Sequence, residues 1–185
     1  EVITKLMNVY KTSRVKDWLK PDDIRPLQQP WTLAGGIPTP RRIDDCLDIH
    51  DWIVFAGMDF SKGDDLNGTS YLAYNRTTGD FFADMDSYMS EEAVNASPIR
   101  ELLLRWAKYG WLHIVPGKTF DPSWPVNRIV ELNGDPSQPG IDFWGFGYDP
   151  FNAKNVVNSL SQWAFYNGYD PKQLIQPVRQ NFATY

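Results

Sequence analysis

The run Ile53-Val54-Phe55-Ala56-Gly57-Met58-Asp59-Phe60 carries a single charge, and that aspartate stands one residue from its end. So short and apolar a stretch reads as a strand buried at the centre of a sheet. The polar, glycine-bearing segment 61–68 then reads as a loop. Thr69 to Asn75 and Asp80 to Tyr88 are two further strands, and Arg76-Thr77-Thr78-Gly79 between them has the composition of a hairpin turn. Three consecutive antiparallel strands therefore open a compact domain near Asp51.

Ser97-Pro98 supplies a cap and a first helical residue, Ile99, Leu102, Leu103 and Trp106 give the helix an apolar face, and Gly110 ends it. Trp111 to Val115 is a short extended piece. A second helix is expected over Pro125 to Leu132, closed by Asn133-Gly134. Ile141 to Tyr148 reads as a strand, its aromatics Phe143, Trp144, Phe146 and Tyr148 being core if helices cover both faces. It ends at Asp149-Pro150. A helix follows from Asn152 to Tyr166 with Val156, Val157, Leu160 and Trp163 buried, and Leu174 to Val178 is a last short strand. The order β-β-β-α-(α)-β-α-β predicts an α/β fold, a mixed β-sheet flanked by helices. The ribonuclease H-like fold has this order, and other α/β domains share it.

Upstream the character differs. Residues 1–19 read as a helix, with Val2, Ile3, Leu6, Val9 and Tyr10 at helical spacing. Pro21, Pro26, Pro30, Pro38 and Pro40, with Gly35-Gly36, argue against any sustained helix or central strand over 21–40. A short helix around Arg41 to Leu47 follows. Residues 1–50 are thus expected to form an arm, and 51–185 the domain.

Composition removes several function classes. Cys46 is the only cysteine, so no internal disulfide forms, and with only His50 and His113 beside it a zinc site of the Cys/His kind is not expected. Hydrophobic residues make up 42% of the 185 and aromatics 15%, enough for a sizeable core. No apolar stretch approaches bilayer length and residues 1–10 do not resemble a signal peptide, so a soluble cytoplasmic protein is expected. A net charge of −5 argues mildly against gripping nucleic acid by general electrostatics, yet a metal-dependent nuclease must gather carboxylates of its own. No glycine-rich phosphate loop ending in Gly-Lys-Ser/Thr occurs.

Asp59 stands where a central strand opens, held rigidly and partly solvated, which suits a metal ligand. Asp64 and Asp65 follow on the adjoining loop, where aspartates are commonplace. Asp149 ends the fourth strand of the domain, and Asp followed by Pro is also a good cap and first residue for the next helix. If the first and fourth strands lie side by side, the two aspartates meet at one edge. Two carboxylates so placed bridge divalent ions about 3.5–4 Å apart, the separation used for in-line phosphoryl displacement. Oxygen ligands alone favour magnesium or manganese. Asp84 and Asp86 flank Met85, and one of them is expected to face the cleft, which makes Asp86 an auxiliary candidate with Asp64 and Asp65. Glu91-Glu92 and Asp121 are expected in loops, and Lys118, Arg128 and Lys154 are cations within possible reach of phosphate.

These motifs together resemble a known family. Gly57-Met58-Asp59-Phe60-Ser61 with Asp65-Leu66-Asn67-Gly68-Thr69 resembles the first-strand signature of bacteriophage terminase large subunits. Trp106 to Leu112 with Val115 to Asp121 resembles the middle of that family's nuclease domain, and Tyr148-Asp149-Pro150-Phe151-Asn152-Ala153 its second metal-ligand motif. Gln180-Asn181-Phe182 resembles the start of the next block, and Lys5 to Tyr10 with Trp18-Leu19 the segment joining the family's ATPase and nuclease domains. The resemblance spans nearly the whole chain. It implies a ribonuclease H-like endonuclease that cuts concatemeric viral DNA during packaging in the host cytoplasm, with Asp59 and Asp149 as metal ligands and Mg2+ or Mn2+ as cofactor. It implies double-stranded DNA, the portal, the terminase small subunit and an ATPase domain of the same polypeptide as partners. The ATPase domain and the family's third acidic ligand are not in the sequence, so residues 1–50 are expected to be the linker arm, 51–185 a nuclease domain truncated at its C-terminus, and activity weak or absent without that ligand.

Two other readings predict different behaviour. Another ribonuclease H-like nuclease, such as a resolvase or integrase core, would use the same two aspartates but leaves the 106–121 block unexplained. A non-enzymatic module binding through its tryptophans would show exposed aromatics and no converging carboxylates.

Overall fold

A computed structural model of the chain describes residues 32–34, 37–39, 42–45, 51–61, 65–135 and 138–178. The helix expected over 1–19, Cys46, His50, Asp64 and the 180–182 motif lie outside the described residues. The chain divides into two compact units, Glu1–Arg41 and Arg42–Tyr185. In the first, β1 (Thr32–Ala34) and β2 (Ile37–Thr39) form an antiparallel pair. Pro38 is tolerated there because each strand of a two-stranded ribbon is an edge.

The second unit begins with a 3-10 turn, Ile43–Asp45, and is built on six strands: β3 (Trp52–Asp59), β4 (Asn67–Asn75), β5 (Phe81–Ser90), β6 (His113–Val115), β9 (Asp142–Tyr148) and β10 (Ile175–Pro177). Their order is β10-β9-β3-β4-β5-β6. The β3–β4 and β4–β5 pairs are antiparallel, and β10–β9, β9–β3 and β5–β6 are parallel. This mixed sheet is the ribonuclease H-like arrangement, with β6 added beside β5. The expected hairpin turn is present: the Asn75 side chain accepts from the Thr77 and Thr78 amides at 2.9 Å each, and Gly79 takes the positive φ of 79° that closes it.

Alternation decides the faces. Val54, Ala56, Met58, Tyr71, Ala73 and Phe82 point into one core with Phe143 and Phe146. Helices α3 (Ser123–Asn133) and α4 (Lys154–Tyr166) cover it through Val126, Ile129, Leu132, Val156, Leu160 and Ala164. On the other face Phe55, Leu72, Phe81 and Met85 remain 44% to 64% exposed. Among the described residues, then, helices do not cover both faces of the central strands, and Trp144, expected in the core, is half exposed. Its indole N–H donates to Asp142 at 2.8 Å and the Arg76 guanidinium stands over its ring.

Two helix starts differ from expectation. Glu91 and Glu92 are not in a loop but open helix α1 (Glu91–Ala96), whose cap is Ser90, accepting from the Ala93 amide. Two acidic residues in the first turn favour the positive end of the helix. Ser97-Pro98 is accordingly a turn between helices, and α2 (Arg100–Lys108) begins after Ile99. Between α3 and β9 lies a two-residue pair, β7 (Gly134–Asp135) with β8 (Gln138–Pro139), and before β10 a short helix α5 (Pro171–Leu174).

The end of α3 is held by backbone contact. Gly140 N donates to Asn133 O at 2.8 Å and Ile141 N to Leu132 O at 2.7 Å. A Cβ at position 140 would lie 2.1 Å from the Leu132 carbonyl oxygen, where only rigid backbone could give way. Gly140→Ala is expected to lose at least about 2 kcal/mol by overpacking, read as a fall in the urea midpoint at unchanged slope. An unchanged midpoint would mean that the backbone at position 140 moves aside without cost.

Candidate metal centre

The sheet brings the two strand-end aspartates together. In the parallel β3–β9 pair Met58 lies beside Tyr148, and the Asp149 amide continues the ladder by donating to the Met58 carbonyl at 3.2 Å. Asp59 and Asp149 are the next residue on each strand. Both line an open cleft of about 300 Å³ with Gly57, Gly68, Ser70, Met85, Gly147 and Val178.

That both carboxylates face the same side is not automatic. Phe143 and Asp149 are six residues apart, so an unbroken strand would put them on one face, in the core. The β3–β9 register slips at Val54/Phe55, so that Phe143 pairs with Val54 but Gly145 with Phe55. This bulge reverses the alternation, keeps Phe143 and Phe146 both 1% exposed in the core, and turns Asp149 to the side of Asp59.

The cleft floor is kept low. The Ser70 hydroxyl donates to the Gly57 carbonyl at 3.1 Å and would lie 2.7 Å from a Cβ on Gly57, so a side chain at position 57 would have to turn that hydroxyl aside. Behind Asp59 the loop is pinned by buried Asn67, whose side-chain oxygen accepts from the Ser61 amide at 2.9 Å and whose amide donates to the Asp65 carbonyl at 3.3 Å.

The cap reading of Asp149 is overturned. The following helix starts at Lys154 with Ala153 at its cap position, and the Asp149 carboxylate only accepts from the Phe151 amide at 3.1 Å in a local turn. Asp65 is exposed on the loop and does not line the cleft. Asp86 does not serve as an auxiliary ligand there, because residues two apart on a strand share a face. It is Met85 that lines the cleft, while Asp84 and Asp86 both point to the helix-covered side. Among the described residues no third His, Cys, Asp or Glu joins Asp59 and Asp149.

Asp86 instead anchors a buried ion network. Its carboxylate, 1% exposed, pairs with Arg42 and with Arg128 at 3.3 Å, accepts from the Tyr71 hydroxyl at 2.9 Å, and meets His113 Nε2 at 3.3 Å. Arg42 also pairs with Asp84 at 3.2 Å and Arg128 with Asp44 at 2.9 Å. Burial alone would raise the Asp86 carboxyl, but the His113 contact and the two guanidinium charges outweigh it and hold the group at about 2. Asp84, more weakly compensated, is pushed up by burial. Of the cations considered for phosphate, Arg128 is thus engaged with carboxylates, and neither Lys118 nor Lys154 lines the cleft.

The donor set fits a hard divalent cation. Asp59 and Asp149 are two carboxylates at neighbouring strand ends beside an open cleft, oxygen donors of the kind that would hold such an ion.

Among the described residues, no helix is long and apolar enough to cross a membrane. No protein-family model and no curated protein matches the sequence. The structure is similar to the crystal structure of the HK97 bacteriophage large terminase, with a TM-score of 0.50 and 19% identity over 72% of this chain. The matched part is 25% of that terminase, so the chain spans about a quarter of its length. At that identity the likeness concerns the fold, and the fold of this chain is terminase-like.

Proposed function

We propose that this chain is the nuclease domain of a phage-type large terminase, a divalent-metal-dependent endonuclease that cuts concatemeric double-stranded DNA during genome packaging. The observation that carries the reading is the convergence of Asp59 and Asp149 at adjacent ends of parallel strands, over a cleft floored by glycine. The two carboxylates would hold Mg2+ or Mn2+, which when bound supplies an activated water and charge for the departing 3′ oxygen. Gly57, Gly68 and Gly147 leave space for a phosphodiester to come down to the carboxylates. Met85 and Val178 give the cleft apolar walls. Among the described residues no cation lines the cleft. Portal, small subunit and an ATPase domain as partners, and the host cytoplasm as the place of action, belong to the same proposal.

The test is cleavage of supercoiled plasmid by the chain with manganese, with EDTA, and with Asp149→Asn. Slow nicking with manganese should vanish in the other two reactions, and manganese titrated calorimetrically should bind the chain more tightly than Asp149→Asn. Cleavage that persists in Asp149→Asn, or equal manganese binding by chain and variant, would sink the assignment, and the half-exposed Trp144 beside Arg76 would then favour a binding module.

A further inference from the structure

Besides the two aspartates, two of the described residues that line the cleft carry a polar side chain, Ser70 and Tyr148, and the Tyr148 ring packs against the core. Ser70 is left to serve the cleft. It lies in β4 opposite Gly57, as Gly68 lies opposite Asp59. Directly opposite residues share a face, and so do residues two apart on one strand. Ser70 and Asp59 therefore stand on the same side of the sheet, and both are exposed there.

The hydroxyl leans over the neighbouring strand. It donates to the Gly57 carbonyl at 3.1 Å and would lie 2.7 Å from a Cβ on Gly57. It thus occupies the place of the side chain that Gly57 lacks, on the strand that ends in Asp59 two residues later. Two residues of strand rise about 7 Å. A carboxylate side chain, a bound divalent ion and one of its waters bridge a gap of that order.

Its one proton limits what the hydroxyl can do. A serine hydroxyl has a single donor and two acceptor lone pairs, and the proton goes to the Gly57 carbonyl. Toward the cleft it can only accept. Phosphate oxygens are acceptors themselves, so they are not its partners. Water on a divalent cation is, because the cation's charge makes the water protons strong donors.

We propose that Ser70 is a positioning residue of the metal centre, its hydroxyl accepting a hydrogen bond from a water carried by the ion at Asp59 and Asp149 and fixing where that water stands. The inference rests on the metal-dependent reading of the cleft. Gly57 belongs to the same device, since it leaves the space in which the hydroxyl sits and its carbonyl takes the proton.

The test is manganese binding, followed by the spin-resonance signal of the free ion, for the parent, Ser70→Ala, Ser70→Thr and Asp149→Asn. Ser70 is exposed, so its variants should melt as the parent does. Ser70→Ala should bind manganese about tenfold more weakly, a usual cost of losing an outer-shell partner of a metal site. Ser70→Thr keeps the hydroxyl and should bind as the parent does. Equal binding by the parent and Ser70→Ala, with Asp149→Asn weakened, would overturn this inference alone, and so would a loss in Ser70→Thr as large as in Ser70→Ala. Binding absent from the parent, or unchanged in Asp149→Asn, would remove the metal site and this inference with it.

Discussion

Asp59→Asn is expected to lower manganese-stimulated DNA cleavage by more than about a hundredfold while leaving the thermal melt within a degree or two of the parent. The side chain is exposed at a strand end, so its removal disturbs no packing. What it takes away is half of the carboxylate pair. Charge stabilisation by a bound ion is worth several kcal/mol at the transition state, and about 1.4 kcal/mol is tenfold in rate. Asparagine keeps the size and one oxygen but loses the charge. Manganese titrated calorimetrically should therefore bind more weakly even where no DNA is present. Retained metal affinity with lost cleavage would move Asp59 from ligand to some other role, and retained cleavage would remove it from the site.

Asp86→Ala should behave in the opposite way, with a large loss of stability and no direct effect on metal binding. It strips the shared carboxylate from Arg42, Arg128, His113 and Tyr71 at once. Breaking a buried ion pair costs about 3–5 kcal/mol, and because the Arg42 and Arg128 side chains are 19% and 21% exposed and keep Asp84 and Asp44, the low end is expected. The pH dependence has a definite sign. The carboxyl is held at about 2 in the fold against 3.8 as the ordinary value, so its contribution is present above 3.8 and disappears as pH falls through 2. That shift corresponds to roughly 2 kcal/mol. Asp84, raised by burial, works the other way, so the contrast to measure is between the parent and Asp86→Asn. Urea midpoints of the parent should fall more steeply between pH 4 and pH 2 than those of the variant. Parallel curves would mean that the network contributes nothing through ionisation.

Much of the fold was legible because its signals are local. The apolar run ending at Asp59, the Asn75–Gly79 turn, the Asn133-Gly134 stop of α3 and the apolar periodicity of α4 each lie within a dozen residues. The pairing of the first and fourth strands of the domain followed from the order of elements, and it put Asp59 beside Asp149. What escaped was of two kinds. Ser90 followed by Glu91-Glu92 carries a cap-and-acid signature that could have placed α1, but Ser97-Pro98 carries a competing one, and only packing chooses between them. The Asp86 network joins Arg42, His113 and Arg128 across separations of 44, 27 and 42 residues, which no local pattern encodes. That Asp84 and Asp86 share a face was readable from strand geometry alone. The orientation of Asp149 was not, because it depends on a register slip that the sequence Phe143-Trp144-Gly145-Phe146 does not announce.

That slip also determines which changes of chain length the site can survive. An insertion or deletion in the loop over 61–66 or in the β7–β8 ribbon shifts nothing in the phase of the two strands. Removal of one residue between Phe143 and Phe146 would abolish the slip yet leave Phe143 and Asp149 five apart, still on opposite faces, whereas removal of one residue between Phe146 and Asp149 would carry the carboxylate from the cleft to the hydrophobic side. Lineages sharing this site should therefore vary freely in loop length, yet keep an even number of residues between the inward phenylalanine at position 146 and the aspartate at 149.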